Sequence, residues 1–305
     1  MRIGAALRKL PDVELRWRET LSKHTSFRVG GPVEWLAKPR NEQGLANLLA
    51  QVRDRGFPFL VLGGGSNVLA PDEPWEAVVI QLKLACRSLC ARSENGDGTL
   101  SLYAGAGVSL RNLVRYSLSN ELEGFEPLAG IPGTVGGALV MNAGIPSGTI
   151  SDALLWIDLI DAEGRRRRIP KRQLSPAYRS MGLPEDSVVL GGCFGMKKTS
   201  AQTQRARVTE LAEHRKRTQP LGYPSAGSIF RNPAGTTAGE LIEKAGLKGL
   251  RIGDAQISGE HANWIINLGN ARARDILDLV EKMEKEVFGN FGVRLEREIR
   301  ILGQY

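Results

Sequence analysis

Cysteine, histidine and aromatic side chains are all scarce in this chain: 3 Cys, 3 His and 6% aromatic residues in a length of 305. The cysteines, Cys86, Cys90 and Cys193, leave one unpaired in any disulfide scheme, and Cys86 and Cys90 stand four apart with no second pair. His24, His214 and His261 are scattered. A disulfide scaffold and a zinc site are thus excluded as organising devices, no metal is expected, and the thiols read as buried or inert. No apolar run reaches the ~18 residues that a membrane span needs. The opening MRIGAALRKLPDVELRW has no apolar stretch of signal-peptide length, so a cytoplasmic location is the expectation. The common phosphate fingerprints are missing too. The third position of G-x-G-x-x-G is Val68 after Gly63 and Gly65, and Leu110 after Gly105 and Gly107; there is no lysine P-loop. An ordinary Rossmann or Walker site is therefore excluded.

What the chain has in quantity is glycine, 36 residues, and positive charge, +8 net with a pI near 9.6. The charge points to anionic partners, either phosphorylated small molecules or nucleic acid. Its one dense basic patch is Arg165-Arg166-Arg167-Arg168 with Lys171 and Arg172, following the turn sequence Asp161-Ala-Glu-Gly164. That pattern reads as the solvated arm of a hairpin. No aromatic residue is interleaved to stack on bases, so nucleic acid is not the expected partner.

The glycines cluster. LAGIPGTVGGALVMNAG (128–144) holds Gly130, Gly133, Gly136, Gly137 and Gly144 around Pro132, with Asn142-Ala143-Gly144 at its end. Glycine loses the most backbone entropy on folding, so such a cluster marks positive φ or close approach. Small residues offer no side-chain contacts, which leaves backbone N–H groups to read an anionic or carbonyl-rich ligand. A second run, Gly63-Gly64-Gly65-Ser66-Asn67, follows the apolar Phe59-Leu60-Val61-Leu62. A strand that ends in a glycine turn offers N–H groups to a pyrophosphate.

Periodicity supplies the frame. Asn41 with Leu45, Leu48, Leu49 and Val52 predicts a capped amphipathic helix ending near Gly56. Strands are expected at 58–62, 77–82, 99–104, 153–160 and 187–193, and a helix at 109–120. The polar segment 200–219 reads as a helix that connects two domains. Beyond it come a helix at 237–245 capped by Thr237, a strand at 262–267 and a helix at 271–288. The tail VRLEREIRIL (293–302) alternates strictly and predicts a strand. The whole is an α+β protein.

Several polar residues stand out. Ser228 lies among small residues in Ser225-Ala-Gly-Ser-Ile-Phe-Arg-Asn-Pro233; its hydroxyl is open to a ligand contact or to a backbone bond. Tyr178-Arg179 pairs an aromatic with a guanidinium, which suits a carboxylate or an ordinary surface. Glu298 is open to an ion pair or to a role as an acid in a cleft. His261 and Asn263 are polar anchors or a strand entry.

Seven segments in order decide between these readings: HTSFRVGGP (24–32), GGGSNVL (63–69), GIPGTVGGALVMNAG (130–144), YRSM (178–181), QPLGYPSAGSIFRNP (219–233), GDAQISGEHANWIIN (253–267) and LEREIRILG (295–303). Together they resemble the UDP-N-acetylenolpyruvoylglucosamine reductases over nearly the whole chain. The resemblance implies a PCMH-type (vanillyl-alcohol-oxidase-like) FAD-binding fold followed by a substrate domain. The implied division is 1–85 and 86–205 as flavin-binding halves and 206–295 as the substrate domain, with strand 296–305 returning to the first. FAD is expected non-covalently against Gly63, Gly64, Gly65, Ser66, Asn67, Pro132, Gly133, Val135, Gly136, Gly137, Asn142, Ala143 and Gly144.

The implied reaction has two halves: NADPH gives a hydride to the flavin N5, and C3 of the enolpyruvyl sugar nucleotide then takes it. Arg179 and Glu298 match the family's carboxylate-side pair and Ser228 its proton donor to C2. Tyr178, Arg231, Asn232, His261 and Asn263 fall at substrate-contact positions, with Arg231 where lysine is common. Tyr178 and Ser228 are only 50 residues apart, so the chain is similar to the shorter subtype without a substrate-covering tyrosine loop. A soluble monomer with no membrane or nucleic-acid partner is implied.

Overall fold

The computed structural model describes Leu7, residues 10–94 and residues 99–303. The chain forms two compact units, each assembled from three stretches. One comprises Met1–Trp17, Trp35–Gly64 and Ala77–Glu213; the other comprises Arg18–Glu34, Gly65–Glu76 and His214–Tyr305. Residues 304–305 of the expected returning strand lie outside the described residues.

In the first unit, helix α1 (Glu42–Asp54) starts where Asn41 Oδ1 accepts the amide of Gly44 at 2.7 Å. It buries Leu45, Leu48, Leu49 and Val52 as one stripe. Gly56, at φ +60°, ends it, and the strand Phe59–Val61 follows, parallel to Trp75–Ile80. These two strands belong to a four-stranded sheet ordered Val13–Thr20, Pro32–Pro39, Trp75–Ile80, Phe59–Val61. A second sheet runs in the order Arg166–Pro170, Leu154–Ile160, Val188–Lys198, Leu100–Gly105, Leu89–Glu94, all neighbours antiparallel. Helix α2 (Leu110–Ser119), capped by Ser109, and the short helix α3 (Val135–Val140), capped by Thr134, bury their apolar faces in the same core. Phe125 meets Phe194 edge-to-face at 5.0 Å inside it.

The arginine run forms the expected hairpin arm. Arg166–Pro170 pairs with Leu154–Ile160, and each arginine is tied to an acid. Asp158, 1% exposed, receives Arg168 through two bonds of 2.8 and 3.0 Å. Asp161 receives Arg165 and Arg167, which hold its carboxyl far below the usual range despite the opposing effect of burial. Cys86 and Cys193 are buried and Cys90 is exposed, with no disulfide among the described residues; burial pushes Cys86 up to about 12, so it is inert.

Helix α4 (Ala201–Thr218) spans the chain crossing between the units at 213/214. The second unit holds an antiparallel meander, Arg251–Ile252, Ala255–Ile257 and Ile265–Asn267. It also holds α5 (Ala238–Lys244), capped by Thr237, and α6 (Ala273–Phe291). Ile276, Leu279, Val280, Met283 and Val287 make the buried stripe of α6, and Gly292 at φ +69° ends it. No helix among the described residues is long and apolar enough to cross a membrane.

The tail departs from its expectation. Only Arg300–Ile301 is a strand, parallel to Val68–Leu69. The reason is a change of partner. Glu296 O accepts Arg231 N and Glu298 N donates to Ile229 O, whereas Arg300 N and Leu302 N donate to Asn67 O and Leu69 O. The chain stays extended, so the sequence alternation persists, but no single ladder runs its length.

Candidate active site

The expected site residues fall into two groups, one in each unit. In the first unit, the strand Phe59–Val61 delivers Gly63 and Gly64 onto the 130–144 loop. A Cβ on Gly64 would lie 2.6 Å from Gly133 Cα, and one on Gly63 2.6 Å from Thr134 Oγ1. Backbone therefore meets backbone, which only glycine permits. Among the described residues the amides of Gly63 and Gly64 have no internal acceptor, and Gly64 is exposed. Val135 and Gly136 behave differently. Their amides donate to Val108 O and Ala106 O at 2.8 and 3.0 Å, so they anchor the loop rather than face a ligand. Gly144 is likewise packed, since a Cβ there would sit 2.3 Å from Gly148 O. Ala143 bonds Ala138 O and Ile150 N. Pro132 and Gly137 are exposed on the same loop.

Asn142 and Arg179 share a peculiarity. Asn142 adopts φ +43° and Arg179 φ +59°, the left-handed region that disfavours side chains. Ala177 and Ser180 exchange two backbone bonds across Tyr178-Arg179, which puts Arg179 at the turn position that favours glycine. Asn142 Nδ2 donates to Ala177 O at 3.0 Å, and Arg179 Nη1 donates to Gly144 O at 3.4 Å. The guanidinium lies over the Tyr178 ring, 4.9 Å from its centre, and Tyr178 is half exposed. The 142–144 end of the glycine loop and the arginine turn are thus one structure. Strain of this kind persists only where the surroundings hold it, and it gathers at functional sites.

In the second unit one hydrogen-bond network carries Ser228 and Glu298. Ser228 bridges Trp264, and Phe230 bridges Arg297. Ile229 N donates to Asn263 O, and Glu298 N donates to Ile229 O at 2.8 Å. The Asn263 side chain, 2% exposed, grips Phe230 at both ends: Oδ1 accepts Phe230 N at 3.0 Å and Nδ2 donates to Phe230 O at 2.8 Å. Asn263 is therefore a strut for the Ser228 segment, not an open contact. His261 Nδ1 accepts Asn263 N at 3.2 Å, and burial, followed by the charge of Lys248, lowers the ring's pKa. Asn67 closes the network, its side chain donating to Glu298 O at 3.0 Å. Gly65, at φ +66°, presses on His24 O and Thr25. Arg231 is ion-paired to Glu296 at 2.9 Å, and among the described residues its buried Nε has no partner. Asn232 is exposed and accepts Ala238 N, which tethers it to the start of α5.

Residues 219–302 match the family profile "UDP-N-acetylenolpyruvoylglucosamine reductase, C-terminal domain", and residues 33–169 match "FAD binding domain". A reductase of that name from Syntrophobacter fumaroxidans is 53% identical over 296 residues, covering 97% of this chain and 86% of the relative. The chain belongs to the UDP-N-acetylenolpyruvoylglucosamine reductase family. A second reductase of that name, from Desulfosudis oleivorans, is 39% identical with 95% of each chain covered. The crystal structure of the Thermus caldophilus reductase superposes with a TM-score of 0.79 at 35% identity, over 95% of this chain and 98% of that one. The α+β, PCMH-type flavin-binding fold is that of this family.

The residues fit a flavin. The free amides of Gly63 and Gly64, held where a Cβ would clash, form the kind of cradle that a pyrophosphate takes. Among the described residues Asn142 Oδ1 is buried without a partner, an acceptor that a ring N–H satisfies. Sequence reasoning for this family missed Thr134. It caps α3 through Gly137 N and packs on Gly63; its signal was a threonine immediately before an apolar helix start.

Proposed function

We propose that the chain reduces the enolpyruvyl group of UDP-N-acetylglucosamine enolpyruvate to the lactyl ether of UDP-N-acetylmuramate, a step toward the bacterial cell-wall polymer. NADPH is the reductant, and the protein acts as a cytoplasmic monomer. Residues 1–85 and 86–205 are the two halves of the flavin-binding portion and 206–295 the substrate-binding portion, with 296–303 returning to the former. FAD, held non-covalently by the Gly63-Gly64 turn and the 130–144 loop, would supply the two-electron chemistry that links NADPH to substrate C3. The observation that supports this reading best is the coupling of Ser228 to Glu298 through Ile229 and Asn263, which fixes two oxygen-bearing side chains on one scaffold.

Hydride arrival at C3 leaves negative charge on C2 and the neighbouring carboxylate. Arg179, held in its strained turn, offers guanidinium donors where that charge develops. The Ser228 hydroxyl donates the proton that C2 then needs. An isolated serine is a weak acid, and the negative charge that develops at C2 is what draws its proton, which the serine regains from solvent. Asn263 and Asn67 act as positioning residues, because they touch the backbone of the Ser228 and Glu298 segments. Tyr178, Arg231 and Asn232 remain candidate contacts to the sugar nucleotide.

Incubation of the purified protein with NADPH and the enolpyruvyl sugar nucleotide tests the assignment. The expected result is loss of absorbance at 340 nm matched by a two-hydrogen gain in the mass of the sugar nucleotide. NADPH consumption without that gain leaves a flavoprotein with a different acceptor and overturns the substrate assignment.

A further inference from the structure

Arg28 lies in the HTSFRVGGP segment, where none of the roles above uses it. It is one of three arginines in the left-handed region, at φ +56°. It is exposed, and among the described residues its side chain forms no hydrogen bond or ion pair. Two other arginines of positive φ have partners: Arg179, and Arg18 at φ +51° in an edge strand. Glu121 and Asp186 are ordinary turn residues of short connections.

The loop that holds Arg28 is tightly fixed. Thr25 Oγ1 donates to Val29 O at 2.8 Å and Arg28 N donates to Thr25 O at 3.2 Å, closing a turn around it. Phe27 is fully buried, and its carbonyl accepts the Asn267 side chain at 2.9 Å. Ser26 bonds Gly65 O twice, through N at 2.9 Å and Oγ at 3.2 Å. Gly65 opens the Gly65-Ser66-Asn67 turn, whose Asn67 side chain holds Glu298 O. Within this one unit the Arg28 loop is therefore bolted to the turn that supports the Ser228 and Glu298 network.

The energetic logic runs against a merely structural role. Asparagine or glycine would fill a left-handed, exposed position with less strain, and nothing among the described residues of the unit repays the guanidinium. A rigid loop that presents an unpartnered guanidinium beside a glycine turn is suited to a phosphate group, which the fork of N–H donors matches. We propose that Arg28 binds a phosphate of one of the reaction's nucleotides and is a specificity-determining residue of this enzyme. The inference rests on the flavin-dependent reading above. The shared chemistry is a phosphate, and its sources are the flavin cofactor, the hydride donor and the sugar nucleotide.

Arg28→Asn tests it, because asparagine tolerates the backbone and lacks the charge; Arg28→Lys keeps the charge but not the fork. FAD affinity is measured by fluorescence quenching on protein stripped of flavin. KM is measured for NADPH, NADH and the sugar nucleotide on the loaded enzyme. The expected result is a loss of about tenfold to a hundredfold in one of these, the size of a charged hydrogen bond, with the lysine variant intermediate and urea stability unchanged or raised. A weaker FAD constant assigns the cofactor's pyrophosphate. A rise in KM for NADPH that NADH does not share assigns the donor's extra phosphate. A rise for the sugar nucleotide assigns its pyrophosphate. All constants equal to wild type in the asparagine variant overturn the proposal. Failure of the wild-type protein to bind FAD or oxidise NADPH is a separate result, and it removes the flavin-dependent reading itself.

Discussion

Replacing Asn263 with alanine distinguishes a strut from a substrate contact. The side chain is 2% exposed and Phe230 is 1% exposed, and the two are joined by bonds of 3.0 and 2.8 Å. Asn263→Ala leaves Phe230 N–H and C=O buried and unmet, at about 1–3 kcal/mol each. The Asn263 carbonyl still accepts Ile229 N, so the strand contact itself survives. The expected destabilisation is about 2–6 kcal/mol, which lowers the urea midpoint by roughly 1–2.5 M for a slope of about 2.5 kcal/mol/M. Asn263→Asp should be no better, because its second oxygen faces the Phe230 carbonyl. Far-UV circular dichroism and tryptophan fluorescence follow the unfolding. In the surviving folded fraction, flavin reduction by NADPH should be retained and reoxidation by the sugar nucleotide slowed, since Ser228 rides on the loosened segment. A variant with the wild-type midpoint and a raised KM for the sugar nucleotide would refute the argument and return Asn263 to substrate contact.

Ser228→Ala should leave flavin reduction by NADPH unchanged and slow reoxidation by roughly 10²–10⁴-fold, the usual worth of general acid catalysis; stopped-flow absorbance reads the two steps separately. Gly64→Ala forces a Cβ to 2.6 Å from Gly133 Cα, so the purified variant should carry little flavin and show a weakened FAD constant by titration. Arg168→Ala strips the buried Asp158 of its two-bonded partner, with an expected loss of about 1–3 kcal/mol once the exposure of the guanidinium is allowed for; Asp158→Asn in the same chain should restore part of it in urea unfolding. His261 has a lowered pKa in the fold, chiefly from burial. The unfolded chain therefore binds a proton that the folded one resists, and stability should fall as pH drops through about 6.5. Urea midpoints at pH 7.5 and 5.5, compared between wild type and His261→Gln, check this: the variant should show a smaller drop.

Much of the local structure was legible because local rules governed it. Asn41 and Thr237 cap helices where a short polar residue precedes an apolar stripe. The arginine arm was legible as a hairpin because Asp161–Gly164 is turn chemistry and Arg166–Pro170 alternates. The glycine clusters were legible as close approaches, and Gly64 against Gly133 is one. What was not legible depends on distant partners. The tail alternates like a strand, yet it divides its bonds between Ile229–Arg231 and Asn67–Leu69, a choice that no local pattern encodes. From the residues Asn263 was a polar anchor or a strand entry, and the resemblance put it at a substrate-contact position; its pairing with Phe230, 33 residues away, makes it a strut. Val135 and Gly136 were indistinguishable from their neighbours until Val108 and Ala106 took their amides. The left-handed turn at Arg179 was hidden because arginine gives no signal of positive φ, unlike glycine.

The most direct test follows the visible absorbance of the purified protein under anaerobic conditions, first with NADPH and then with the enolpyruvyl sugar nucleotide. The account requires a flavin spectrum that bleaches with NADPH and returns in full when the sugar nucleotide is added. A spectrum that bleaches and never returns, or a protein that takes up no FAD, would contradict it.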